Sequence, residues 1–220
     1  MHRKKLLVVL LGGVLMFAGC ASMTTLQNAE VLEPGRATYY AAYVPTTIPE
    51  FIDVDTNGKY DPMDFNTIEV GGRLGLFKNF DVGAKVYPIG TLLDGKYQFL
   101  NSGMIKGAGD LGVGYMTITS GSDSSESKSS TTVIDMTPMV LFTVKPISFF
   151  SFTVAPKTLI RMQMPDEGSS SFKSLFGATA MAKFHVGSLG ALSFEYGMFG
   201  GSYNTTHFAL AAEKNISFGD

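Results

Sequence analysis

Apolar residues alternate with polar residues or glycines through most of the chain, and the clearest stretch runs from Ile68 to Tyr87. Ile68, Val70, Leu74 and Leu76 alternate with Glu69, Gly71, Arg73 and Gly75. After a break at Phe77–Lys78–Asn79, Phe80, Val82, Ala84 and Val86 alternate with Asp81, Gly83, Lys85 and Tyr87. Two period-two runs joined by a short break predict a β-hairpin with one apolar and one charged face. The same plan recurs in Arg36–Val44, Leu92–Leu100, Met104–Thr119, Val133–Thr143, Ser148–Met162, Leu175–Val186, Leu192–Phe199 and His207–Phe218. With the hairpin strands Phe65–Leu76 and Phe80–Tyr87 the count is about ten, and eight or twelve lie within the error of such boundaries.

The connections fall into two kinds. Phe77–Asn79, Asn101–Gly103, Val144–Pro146 and Gly187–Leu189 are short, whereas Pro45–Asp64, Ser120–Thr132 and Gln163–Lys173 are long and polar. Pro88–Thr91 and Gly200–Thr206 are intermediate. Short connections alternate with longer ones, as periplasmic turns and external loops do in an outer-membrane barrel. The pattern therefore predicts an all-β fold, an antiparallel up-and-down transmembrane β-barrel over residues 35–219. No apolar run after Cys20 is long enough for a membrane helix.

In such a barrel the apolar face meets lipid and the charged face lines the lumen. The candidate lumen charges are Glu69, Arg73, Asp81, Lys85, Lys96, Asp110, Lys183 and Glu195, with Lys106, Lys157, Asp135 and Glu213 on the same face. Their signs nearly balance, whereas an ion-selective pore favours one sign. Balance predicts a lumen filled by mutually paired charges, with glycines on that face making room. Aromatic girdles are expected at the interfaces, from Phe77, Phe80, Phe149, Phe150 and Phe184 near short turns and Tyr115 and Phe176 near long loops.

The amino terminus changes the picture. His2, Arg3, Lys4 and Lys5 precede an apolar run from Leu6 to Phe17, too short to span a bilayer comfortably. It closes in Phe17–Ala18–Gly19–Cys20, which resembles the lipobox of bacterial lipoproteins. That resemblance implies a signal peptide over residues 1–19 and a lipid on Cys20. Ala21–Ser22 after the cysteine resembles the sequences sorted onward to the outer membrane. Residues 20–34, mostly polar and ending in Glu33–Pro34–Gly35, read as a lipidated periplasmic tether. Cys20 is the lone cysteine, so no internal disulfide can form. Loss of the signal leaves about 14 basic against 19 acidic residues, and nothing in the charge pattern suggests nucleic acid.

The chain is similar to the small outer-membrane β-barrel proteins of Gram-negative bacteria. The residues that carry the likeness are Thr25–Leu26–Gln27–Asn28–Ala29 leading to Pro34–Gly35, Glu69–Val70–Gly71–Gly72–Arg73, and Asn79–Phe80–Asp81–Val82–Gly83–Ala84–Lys85. The resemblance implies a lipid-anchored protein of the outer membrane with its loops outside. Its partners would be membrane lipid and the barrel-assembly and lipoprotein-sorting machineries, a signal for the former being Phe218 near the end of the last strand. The motifs specify a fold type and no activity.

Candidate chemistry is sparse. His185 is expected on the inward face of the eighth strand, and His207 near the external rim. Neither stands in a recognisable motif with a serine or carboxylate, so an enzyme is not expected. Ser120–Ser130 reads as an external loop. Asp53 to Asp64 resembles an EF-hand calcium loop, with Asp53, Asp55, Asn57 and Asp61 at positions one, three, five and nine, and Gly58 at six. Lys59 would give its carbonyl at position seven, and Asp64 stands where glutamate is usual. A polar turn with Asn57–Gly58 at its tip fits the same residues without a metal. The functional expectation is a structural or surface-interaction barrel with a filled lumen. The rivals are a narrow transport pore and a lipid-tethered soluble barrel carrying a hydrophobic ligand, which would need the apolar face inside.

Overall fold

The computed structural model describes residues 23–48, 63–120, 129–166, 169–202 and 204–217. Their ten strands are β1 (Arg36–Ile48), β2 (Met63–Phe77), β3 (Phe80–Tyr87), β4 (Gly90–Ser102), β5 (Ile105–Ser120), β6 (Ser129–Ile147), β7 (Phe150–Pro165), β8 (Ser171–His185), β9 (Ala191–Gly201) and β10 (Thr205–Ser217). Each strand pairs antiparallel with its sequence neighbours, and β1 pairs with β10, so the sheet closes into a barrel. Closure leaves no unpaired edge, which is what a sheet in hydrocarbon requires.

Strand faces follow the period-two pattern. Val70, Leu93, Val113 and Phe194 point outward and are 54%, 64%, 51% and 52% exposed, while Glu69, Lys96 and Glu195 point inward at 1%, 1% and 3%. A continuous apolar belt outside with charges inside is the arrangement of a membrane-spanning barrel. A soluble carrier of hydrophobic ligand needs the opposite arrangement, so that rival expectation fails on the orientation of the faces.

The two ends of the barrel differ. At one end, called here the turn end, β2–β3, β4–β5 and β6–β7 join through two-residue turns, and β8–β9 through a single 3-10 turn at Gly187–Leu189. Asn79 in the first of these turns adopts φ 66°, the left-handed conformation that a tight hairpin demands. Exposed Phe77 stacks on Phe80 here, and Phe150 packs on Phe184, so aromatics do gather at this rim. At the loop end several strands run further than expected. The β1–β2 ladder reaches Ile48↔Met63 and the β5–β6 ladder reaches Ser120↔Ser129. These extensions are rich in Ser and Thr and lack apolar alternation, so the period-two pattern does not mark them as strand. The β3–β4 connection shrinks to Pro88–Ile89.

Asp64 lies on β2, paired with Thr47. Asp53, Asp55, Asn57, Lys59 and Asp61 lie outside the described residues, as do Cys20 and Phe218.

The segment expected as a periplasmic tether is a correction. Met23 to Ala29 lie inside the barrel, none more than 9% exposed. The sequence is polar because the lumen is polar: a lumen lined with charges offers hydrogen-bond partners much as water does.

Candidate functional site

The site is this segment and the wall that grips it. The segment runs lengthwise through the lumen. Met23 packs on Leu159, Leu175 and Phe199 in the loop-end half. At the turn end Gly35 N–H donates to the Gly75 carbonyl, and Arg36 N–H to that of Glu33, before β1 begins. Gly75 has to be glycine, since a Cβ there would drive into the Leu32 and Glu33 carbonyl oxygens.

Backbone groups of the segment have no ladder, so the wall's side chains satisfy them. Lys157 Nζ donates to the Met23 carbonyl at 3.0 Å, and Lys85 Nζ to the Thr24 carbonyl at 2.8 Å. The Thr24 hydroxyl donates to Glu69 at 2.6 Å. Lys96 Nζ donates to the carbonyls of Asn28 and Glu30 at 2.9 and 2.8 Å. Ala29 N–H donates to the Thr143 hydroxyl, Leu32 N–H to Asp81, and the Gln27 amide to Asp110.

The tightest grip is at Glu195. Its two oxygens accept the consecutive N–H groups of Thr25 and Leu26 at 2.7 and 2.6 Å. Leu26 sits at φ 46°, a left-handed conformation costly for an L side chain. That conformation turns neighbouring N–H groups toward one point, an anion-binding concavity, and the buried carboxylate fills it. His207 Nε2 lies 2.9 Å from the same carboxylate and stacks on Phe199. The imidazole needs Gly197 beneath it, because any side chain there would occupy its space. His207 is the third residue of β10 at the loop end, and its imidazole points into the lumen, 1% exposed.

Near the turn end, Glu30 meets Lys106 at 3.1 Å and Lys145 at 3.4 Å. Burial alone would raise the Glu30 carboxyl, yet the two ammonium groups hold it below its ordinary value.

A second set of charges pairs within the wall. Arg73 donates to both Asp81 and Asp94. Arg161 forms a two-pronged pair with Asp135, both bonds 2.8 Å. Lys183 pairs with Glu213 at 2.8 Å. Thus the eight sequence-predicted lumen residues, Glu69, Arg73, Asp81, Lys85, Lys96, Asp110, Lys183 and Glu195, all project inward. They divide between two tasks, pairing within the wall and holding the segment, whereas charge balance alone predicts only mutual pairing. Sequence reasoning did not single out Glu30, Lys145 or Arg161. Arg161 and Lys145 alternate in phase with the inward faces of their strands, so continuing the period to the strand ends would have found them.

Between segment and wall a polar cavity of about 220 Å³ remains, lined by Thr38, Arg73, Lys145, Lys183, His185 and Glu213 among others. It lies toward the turn end, and the segment lies along it.

Solved structures align with this barrel over most of its length. The outer membrane protease OmpT from Escherichia coli gives a TM-score of 0.48 at 9% identity, covering 87% of this chain and 100% of that one. The translocator domain of the autotransporter NalP from Neisseria meningitidis gives 0.42 at 11% identity, covering 97% and 94%. Ail, the attachment invasion locus protein of Yersinia pestis, gives 0.41 at 11% identity, covering 83% and 99%. The likeness is one of shape. The activities in those names stay with those proteins. No family model matches the sequence, and no curated protein matches it.

Proposed function

We propose that the chain is an outer-membrane β-barrel lipoprotein, acylated on Cys20, that serves as a non-conducting scaffold presenting its long loops at the cell surface. The observation that supports a scaffold over a pore is the segment Met23–Ala29, buried in the lumen and held by charged side chains from six strands, β2, β3, β4, β5, β7 and β9. A pore reading would require those contacts to break for every opening. Planar-bilayer recording of the purified protein tests this, with no steady openings expected. Sustained single-channel steps from the wild-type chain would overturn the scaffold reading.

The acidic stretch Asp53–Asp64, which ends on β2, is proposed to take calcium in the millimolar range typical of extracellular sites, since carboxylates so close in sequence repel one another until a divalent cation joins them. Isothermal titration of the refolded protein should give heats that vanish in Asp53→Ala with Asp55→Ala. Equal, negligible heats for both proteins would leave a plain turn.

A further inference from the structure

We propose that the mature amino terminus, and with it the lipid of Cys20, lies at the loop end of the barrel, opposite the end from which β1 departs. The lipid part rests on the acylation of Cys20 proposed above; the path of the chain does not.

The direction of the segment carries the inference. Going backward from Arg36, the chain leaves the turn end at Gly35 and passes Asp81, Lys96 and Asp110. It then passes Glu195 and Glu69 and reaches Met23 in the loop-end half. Each of Met23's three apolar neighbours reports its height. Phe199 stands two residues short of Gly201, where β9 ends at the loop side, and eight from Ala191 at the turn side. Leu175 is four residues from Ser171 at the loop side and ten from His185. Leu159 is nine residues from Phe150 at the turn side.

A strand rises about 3.3 Å per residue and tilts by roughly 45°, so each residue gains about 2.3 Å of height. Eight to ten residues then put Met23 roughly 20 Å from the turn-end rim, but only about 5 Å from the loop-end rim at β9. Met23 is three residue steps from Cys20, which reach at most about 11 Å when fully extended. The turn end is out of reach of Cys20; the loop end is within it. The rim is also low at that point, because the β9–β10 connection holds only three residues, 202–204. With the loop end outside, the acyl chains would enter the outer leaflet, and the protein would be anchored from the surface and not from the periplasm.

Cysteine labelling in intact cells tests the path. Three variants are made in the otherwise natural chain: Ser22→Cys beside the lipid site, Lys78→Cys in the β2–β3 turn and Ser124→Cys in the β5–β6 connection. Heat-modifiable migration on a gel selects folded barrels, and a membrane-impermeant maleimide is added to whole cells and to cells with a permeabilised outer membrane. Ser22→Cys is expected to label in whole cells as Ser124→Cys does, with Lys78→Cys labelling only after permeabilisation. If Ser22→Cys behaves as Lys78→Cys does, or labels in neither preparation, the proposed path is wrong. Reversed labelling of Lys78→Cys and Ser124→Cys would overturn the orientation of the barrel, and Ser22→Cys would still be required to follow Ser124→Cys. Incorporation of an alkyne-bearing palmitate reads the lipid separately: if the wild-type chain takes up no more than Cys20→Ala, acylation fails and the placement of the lipid fails with it, whatever the maleimide shows of the path.

Discussion

Arg161 and Glu195 are both buried in the same lumen, yet they serve different partners. Arg161 holds Asp135, a residue of the adjacent strand, in a bond that would exist in an empty barrel. Glu195 holds two backbone N–H groups of the segment, so without the segment its carboxylate would keep only His207. Lys85, Lys96 and Lys157 resemble Glu195 in this respect, and Arg73 and Lys183 resemble Arg161. The lumen thus contains ion pairs that are complete within the wall and a second set of charges that meet the wall more loosely, Lys96 with Asp81 at 3.5 Å and Lys85 with Glu69 at 3.9 Å, and take their close hydrogen bonds from the chain's own amino-terminal segment. A buried charge that loses its close hydrogen bonds is costly, so the second set makes an empty lumen unfavourable.

The contrast predicts different consequences for similar mutations. Glu195→Ala removes the anchor of Thr25 and Leu26 and strands His207, so it should have the largest effect. A loss of about 3–5 kcal/mol is expected in urea unfolding from detergent, together with channel openings that wild type lacks. Arg161→Met leaves Asp135 buried and unpaired, with a loss of about 3 kcal/mol and no openings. The double variant Arg161→Met with Asp135→Leu should recover most of that loss. If Arg161→Met opened the barrel as Glu195→Ala does, the division into two sets would collapse. Lys96→Met, which leaves the carbonyls of Asn28 and Glu30 without their donor, should cost about 1–3 kcal/mol and raise amide exchange in the segment.

The smallest effect belongs to pH. Glu30 is held below its ordinary value near 4.5, so its ion pairs contribute fully above that value and are lost as pH falls through the lower folded value. The pair is partly exposed, 28% for Glu30, which limits the effect to about 1 kcal/mol or less. Amide exchange at Glu30–Leu32 should rise below pH about 4.5 in the wild type. Glu30→Gln should show no such rise.

The barrel was legible because membrane strands must alternate: Ile68 to Tyr87 shows the apolar face and the charged face in one hairpin. Strand ends were less so. Ser129–Thr132 and Asp64 carry no apolar alternation in the sequence to mark them as strand. The segment from Met23 to Ala29 was illegible for a stronger reason. A buried stretch is usually recognised by apolar residues, and inside a polar lumen that signal is reversed. Thr24, Thr25, Gln27 and Asn28 look like a solvated linker, and only the positions of Lys85, Lys96 and Glu195 in three dimensions show what they meet. Pro138 and Pro156 lie inside β6 and β7, each removing a ladder donor, and the β6–β7 pairing lapses between Met136 and Met139.

The position of the segment constrains the order of assembly. Thr25 meets Glu195 across 170 residues of sequence, and β9 and β10 are the last strands to be made. The amino-terminal residues must wait for the carboxy-terminal strands before their backbone is satisfied, and a contact of such long range is slow to form. Once β1 pairs with β10 the sheet has no seam through which a chain could enter sideways. The segment therefore docks across the open sheet before the ring shuts or enters lengthwise through an end afterwards, and only the first route spares the amino terminus a passage through the charge-lined lumen.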